Sequence, residues 1–322
     1  MPSRRRDLIL AGVLAAARWP AAAARFPDRP IRIVVPFGPG GIADLTARTV
    51  AEHMAGTLGV AGVIENKPGA GSIVASQAVA GARPDGHTLL LMSNGHAVSV
   101  GLFRRLPYDP VRDFAPIGTL GVFDLGLFVR AGSRFGSLAD LLAHARAHPG
   151  ELNVGTVAPG STQHLAARLF ETTAGVKTLV VPYNGSPAVV AALRSGEIDV
   201  AVEIVGPMLP QVAAGAVRAL AVTGGQANPA LPSVPTVQQA GVAGYDVASW
   251  NALAAPAGTP PAAIDVIAAA AHAALAAPAV RDRLAALGVR LQPGSPQDLQ
   301  QLLTHEIRRW GEVIRRAGIE PA

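Results

Sequence analysis

Ile31-Arg32-Ile33-Val34-Val35-Pro36-Phe37-Gly38-Pro39-Gly40-Gly41-Ile42-Ala43-Asp44 decides the fold class. An apolar run of strand length passes through a glycine-rich turn into a stretch of helical period that reaches about Leu58, which is the βα half of a parallel unit. Such a turn aims free backbone N–H groups and the positive end of the helix dipole beyond the strand, a natural seat for an anion. A second turn of the same design lies in the other half of the chain, Val154-Gly155-Thr156-Val157-Ala158-Pro159-Gly160-Ser161-Thr162-Gln163-His164. One such turn is an ordinary connection. Two of them, each in its own α/β lobe, place two helix N-termini across a cleft where both can grip a carboxylate or phosphate.

On either side of these turns, strand-length runs alternate with helix-period stretches. The strands are expected at Val63 to Glu65, Thr88 to Met92, Gly118 to Val129, Leu152 to Val157, Thr178 to Val181, Asp199 to Glu203 and Val217 to Thr223. The pattern predicts parallel βαβ units with helices covering the sheet. Ser137-Leu-Ala-Asp140 and Thr236-Val-Gln-Gln239 read as capping boxes that start helices. Thr259-Pro260 and Ser295-Pro296 read as a cap residue followed by proline in the first turn. Beyond Ser295, the residues Leu299, Leu302, Leu303, Ile307, Trp310 and Ile314 form one apolar stripe of an amphipathic C-terminal helix.

The chain has 322 residues, half of them hydrophobic and 15% charged, so it has enough apolar surface for a folded core and length for two domains. With no cysteine, disulfides, thiol nucleophiles and cysteine-held metal centres are excluded. The basic pI of about 10.3 is concentrated at the start: without residues 1–24, 23 basic and 21 acidic side chains remain. A nucleic-acid partner is therefore not expected. That start has Arg4-Arg5-Arg6-Asp7-Leu8-Ile9, an apolar stretch, and the small-residue run Ala21 to Ala24. It reads as a twin-arginine-like signal peptide cleaved near Ala24, so the mature chain is expected outside the cytoplasm.

A dinucleotide fold competes for the first turn. Gly38-x-Gly40-x-x-Ala43 fits the phosphate fingerprint, and Glu65 follows about 20 residues on. That alternative makes the chain an exported oxidoreductase. Against it stands Asp44, which brings negative charge towards the pyrophosphate. The zinc motif H-E-x-x-H and the nucleophile elbow G-x-S-x-G do not occur, and His144 and His148 read as surface residues at a helix end.

Longer motifs run through the chain in order: Pro36-Phe37-Gly-Pro-Gly-Gly41-x-x-Asp44-x-x-Ala47-Arg48, Glu65-Asn66-Lys67-Pro68-Gly69-Ala70-Gly71, Pro84-Asp85-Gly86-His87-Thr88-Leu89, and Leu106-Pro107-Tyr108-Asp109-Pro110-x-x-Asp113-Phe114. Ser161-Thr-Gln-His164-Leu, Pro182-Tyr183-Asn-Gly185-Ser186, Leu231-Pro-x-Val-Pro-Thr236 and Ala255-Pro-Ala-Gly258-Thr-Pro260 continue the series. Together they resemble the substrate-binding proteins of tripartite tricarboxylate transporters, the Bug or TctC-type receptors.

The resemblance implies a two-lobed, type II periplasmic binding protein, a Venus flytrap with a helix-flanked sheet in each lobe, and no catalysis, cofactor or metal. It implies a small carboxylate ligand, a membrane permease as partner, a periplasmic monomer, and lobes of about 26–126 plus 250–322 and 127–249. Carried onto this chain, the ligand-binding residues are Phe37, Gly38, Gly40, Gly41, Ile42 and Asp44 in one turn. Gly155, Thr156, Gly160, Ser161, Thr162 and His164 form the other. Ser93, Asn94 and His96 wall the first lobe, and Tyr183, Gly185 and Glu203 wall the second. Where Glu203 and Ala158-Pro159-Gly160 stand, the family commonly has Asp and Gly-x-Gly, which bears on which acid is bound.

Overall fold

The strands form where the apolar runs place them, but they join into a mixed sheet. In the computed structural model, which describes residues 26–316 and 318–321, β1 (Ile31–Val35) pairs in parallel with β2 (Gly62–Asn66) and β3 (Thr88–Ser93). The expected signal peptide and its cleavage site lie outside the described residues. In the other half, β5 (Asn153–Val157) pairs in parallel with β6 (Leu179–Tyr183) and β7 (Val200–Ile204). Two antiparallel strands join the halves: β4 (Phe114–Arg130) and β9 (Ala248–Pro256). The order is β2-β1-β3-β9-β4-β7-β5-β6, with β8 (Val217–Val222) and β10 (Val289–Leu291) attached to β4.

The 17-residue β4 carries the chain between halves. Up to Asp124 it pairs with β9, and from Leu125 it pairs with β7 and β8. The wholly parallel expectation is corrected here, because every pairing of β4 and β9 is antiparallel. β9 was not among the expected strands. Its run Ala-Ser-Trp-Asn-Ala-Leu-Ala-Ala-Pro is poor in β-branched residues, and its stability comes from pairing on both sides inside the sheet.

Ten helices cover the sheet among the described residues: α1 (Ile42–Leu58), α2 (Ile73–Ala80), α3 (Asn94–Leu102), α4 (Leu138–Ala147), α5 (Thr162–Ala174), α6 (Ser186–Ser195), α7 (Val205–Ala213), α8 (Pro261–Ala276), α9 (Pro278–Ala286) and α10 (Pro296–Arg316). Ser137 and Asp140 make the expected reciprocal capping box on α4. Thr236 and Gln239 also exchange both hydrogen bonds, at 2.9 and 3.1 Å, but close only a turn. Thr259 turns its hydroxyl onto the Pro256 carbonyl, and α8 starts one residue later than expected, after Pro260. Ser295 caps α10 as read, accepting from the Asp298 N–H at 3.2 Å.

Two core clusters pack the first half around Ile33, Leu89, Leu253 and Ile267 on one face and Leu90, Trp250 and Leu303 on the other. The second half packs around Leu127, Leu165 and Tyr245 on one side and Phe128, Leu193 and Met208 on the other. The far end of α10 inserts Trp310, Val313 and Ile314 into the second half's core with Val98 of α3. One helix thereby contributes apolar surface to both halves, each fully buried side chain stabilising by about 1.5–3 kcal/mol. Among the described residues no single helix is long and apolar enough to cross a membrane; the apolar pair α8 and α9 is bent by 72°.

Candidate functional site

After Val35 the chain turns through exposed Gly38 to Gly41 into α1, with Gly40 in the left-handed region at φ +83°. Asp44 holds this turn from inside. Its Oδ2 accepts from the Gly40 N–H at 2.9 Å and Arg48 Nε at 3.0 Å, and its Oδ1 accepts from Asn66 Nδ2 at 2.9 Å. Asn66 also donates to the Phe37 carbonyl at 2.9 Å. Burial pushes the Asp44 carboxyl up, but the hydrogen bonds from Arg48, Gly40 and Asn66 and the Arg48 charge outweigh it and hold it below the usual carboxylate range. Asp44 is thus a brace with both oxygens occupied, which corrects its expected place as a ligand contact. The N–H groups of Ile42 and Ala43 have no acceptor among the described residues.

The second turn is held by Ser161, whose Oγ accepts from the His164 N–H and donates to the Val157 carbonyl, both at 3.1 Å. Gly160 is left-handed at φ +85°, and a Cβ there would stand 3.1 Å from Leu102 and 3.6 Å from the Gly71 nitrogen. The turn therefore rests on the end of α3 and on the Gly69-to-Ser72 loop of the first half. Thr162 completes the contact: its Oγ1 accepts from Asn94 Nδ2 at 3.2 Å and shares a hydrogen bond with Ser249 Oγ at 3.1 Å. On the other side, a Cβ on Gly206 at the start of α7 would come 3.1 Å from Ile42. The second turn is thus joined to Asn94 and Ser249, while the start of α1 faces the start of α7. His164 is largely buried with Nδ1 unpartnered; burial, then the Arg168 charge, lowers its imidazole to about 4, so it is neutral at pH 7.

The remaining expected residues divide. Ser93 is buried with its Oγ unpartnered, beside Asn251 in the β3–β9 register. Asn251 is fully buried and neither amide atom has a partner. Glu203 is fully buried at the end of β7, held by Gln163 Nε2 and the Ile204 N–H, each at 2.7 Å. His96 is corrected: its Nδ1 meets Ser76 Oγ and its Nε2 meets the Pro110 carbonyl, both at 2.9 Å, with the ring stacked on Tyr108 and edge-on to Phe114. Burial lowers its pKa to about 4, and no ring nitrogen is left for a ligand. Gly155 has no room for a side chain, because a Cβ there would come within 2.2 Å of Ile198. Thr156 is wholly buried and donates to the Val157 carbonyl. The Tyr183 hydroxyl is committed to Glu197 at 2.7 Å, while Gly185 precedes α6 in an extended conformation.

Sequence reasoning missed Asn66, Gln163, Ser249 and Asn251 as contributors. It also missed Ser72, a non-glycine residue held at φ +63° with its Oγ against Gly95, where an added Cβ would come within 2.7 Å. The Glu65 that would contact a ribose in a dinucleotide site is instead bound by Arg32 at 3.0 Å and Lys67 at 2.8 Å. With Asp44 occupying the Gly40 N–H, the dinucleotide alternative is not favoured. Among the described residues no group of three or more His, Asp or Glu side chains is placed to hold a metal ion.

Residues 46–319 match the family model described as the tripartite tricarboxylate transporter family receptor. Three solved structures are similar over their full length. A periplasmic binding protein, BugD, is 31% identical with a TM-score of 0.85, covering 92% of this chain and 100% of its own. Rpa4515 of R. palustris, solved with adipate, is 36% identical with a TM-score of 0.86 and the same coverage. MatC from Rhodopseudomonas palustris, with bound malate, is 35% identical with a TM-score of 0.83, covering 90% of this chain and 100% of its own.

Proposed function

The chain belongs to the tripartite tricarboxylate transporter receptor family, and from that premise we propose that it is an extracytoplasmic receptor that captures a small carboxylate between its two glycine turns and delivers it to a membrane permease. One observation supports the reading: each glycine turn leads into a helix N-terminus, with the Ile42 and Ala43 N–H groups at the start of α1 without an acceptor among the described residues and Thr162 at the start of α5 tied to Asn94 and Ser249. Backbone donors and helix dipoles of this kind favour an anion without requiring a cationic side chain. The bound adipate and malate of two similar proteins support a dicarboxylate. In this reading the protein binds and performs no catalysis. The lobes are 26–126 plus 250–322 and 127–249, swinging about β4 and β9, and the working unit is a monomer.

A ligand that binds only the native state stabilises it by mass action, about 2.7 kcal/mol at a hundred times its dissociation constant. Refolded protein should therefore melt several degrees higher with a few members of a carboxylate panel that includes adipate and malate. The matching amides, which lack the charge, should be silent. A panel without any stabiliser, alongside stabilisation by NAD, would overturn the reading in favour of the dinucleotide one. Export has its own check. Protein recovered from the periplasm of a Gram-negative host should start near Arg25, and an intact Met1 on a cytosolic pool would refute export.

A further inference from the structure

Glu203 is a fully buried carboxyl whose two oxygens are treated differently. Oε1 receives two N–H donors, from Gln163 of α5 and from the Ile204 backbone, each at 2.7 Å. Oε2 is buried and has no hydrogen-bond partner. Among the described residues no lysine or arginine pairs with the group. It lies at the end of β7, beside Gln163 in the first turn of α5, with the Ser186 hydroxyl at the start of α6 close by.

An ionised carboxylate in this position would leave a charged oxygen buried without a donor, at large cost. A protonated one fits the contacts, with Oε1 as the carbonyl oxygen taking both donors and Oε2 carrying the hydrogen. From this asymmetry we infer that Glu203 is a neutral acid whose Oε2–H donates to an anionic oxygen of the bound carboxylate, which makes ligand capture proton-linked. The inference rests on the receptor reading above and adds what the second lobe contributes to it.

The surroundings agree. Burial pushes the Glu203 carboxyl above the usual range, opposed by the contacts from Gln163, Ile204 and Ser186. The ionisable groups on the elements packed against β7 are few. On α5 they are His164, neutral at pH 7, and the Arg168–Glu171 pair a turn further along. On α6 the only one is Arg194, at its far end. On β4 they are Asp124, bound to Arg290 at 2.9 Å, and Arg130 at its end. β5 and α7 have none. The sign follows. A group whose folded pKa is raised holds its proton at low pH and loses it as pH rises, so ligand affinity should fall as pH rises through that pKa, by up to tenfold per unit.

Two measurements test this. Infrared difference spectra of the ligand-free protein, wild type minus Glu203→Gln at pH 6, should contain the C=O band of a buried protonated carboxyl. Calorimetry with adipate and with malate, between pH 6 and 8.5, should give affinity that falls with pH and a heat that varies with the buffer's ionisation enthalpy, the signature of proton uptake. Glu203→Gln, which fixes the neutral pattern with an amide N–H in place of the O–H, should remove both the slope and the buffer dependence. The missing carboxyl band, or pH-independent affinity in the wild type, would overturn the inference and leave the receptor reading standing. If neither probe binds at any pH, the infrared band alone decides: its presence supports a protonated Glu203, and its absence overturns the inference whatever the carboxylate panel says of the receptor reading.

Discussion

Gly41→Asp should abolish carboxylate binding, by a hundredfold or more, in a protein that melts no lower than the wild type. Gly41 is the N-cap residue of α1, at φ −79° and ψ 168°, an extended conformation open to any L-residue. A Cβ there meets only the Gly38 oxygen, at 3.9 Å. Aspartate is among the best N-cap residues and should be a few tenths of a kcal/mol better than glycine. Its carboxylate would accept from the same free N–H groups that seat the ligand. At 4 Å and an effective dielectric near 20, two like charges repel by about 4 kcal/mol, which is roughly a thousandfold in affinity before solvent screening reduces it. Gly41→Asn caps without the charge and should lose much less. Calorimetry with the stabilising members of the carboxylate panel reads the affinity, and thermal unfolding reads the fold. Equal loss in both variants would mean that bulk rather than charge is responsible, and normal binding by Gly41→Asp would show that α1 does not hold the ligand. Gly160 is a poorer place for the same test, because φ +85° and Leu102 at 3.1 Å make any side chain there strained.

The two turns were legible because their signal is local: a buried strand, glycines, and the first turn of a helix lie within about a dozen residues. What sequence could not reveal is lateral. Asn251 enters the site through pairing with Ser93 on β3 and Gly121 on β4, partners far away along the chain. His96 was misplaced for a simpler reason. Ser93 and Asn94 sit beside Asn251 and Thr162, but α3 starts at Asn94, and two residues of helix rotate about 200°. The imidazole accordingly points away, into the packing under Pro110. Asp44 pairs with Arg48 one turn along α1, yet the decisive contact runs backwards to Gly40, as a capping residue reaches back. The capping box at Thr236 formed as spelled and carried no helix, because the chain leaves through Gly241 and Gly244, both at positive φ.

Trp310→Ala should cost about 3–5 kcal/mol and lower the melting temperature by roughly 10 °C, the largest stability effect expected of one residue here. The indole is fully buried among Val98, Leu125, Leu165, Phe170 and Tyr245, so truncation empties the junction between α10 and the second half's core. It also removes a shared donor, since Nε1 meets Asn94 Oδ1 at 2.7 Å and Glu306 Oε2 at 2.8 Å. Two buried acceptors lose their partner, each a penalty of about 1–3 kcal/mol where no water can enter. Trp310→Phe separates the two effects, keeping most of the volume while removing the donor. Asn94 is the residue that reaches Thr162 across the gap, and Trp310 fixes which way its amide faces. With that donor gone, the Asn94 amide is free to turn over and present its oxygen to Thr162, loosening the contact that holds the α5 N-terminus against the first lobe. Trp310→Phe should therefore lose several-fold in carboxylate affinity with a smaller fall in melting temperature than Trp310→Ala. If binding tracks stability alone across the two variants, Trp310 serves the core and has no part in orienting the site.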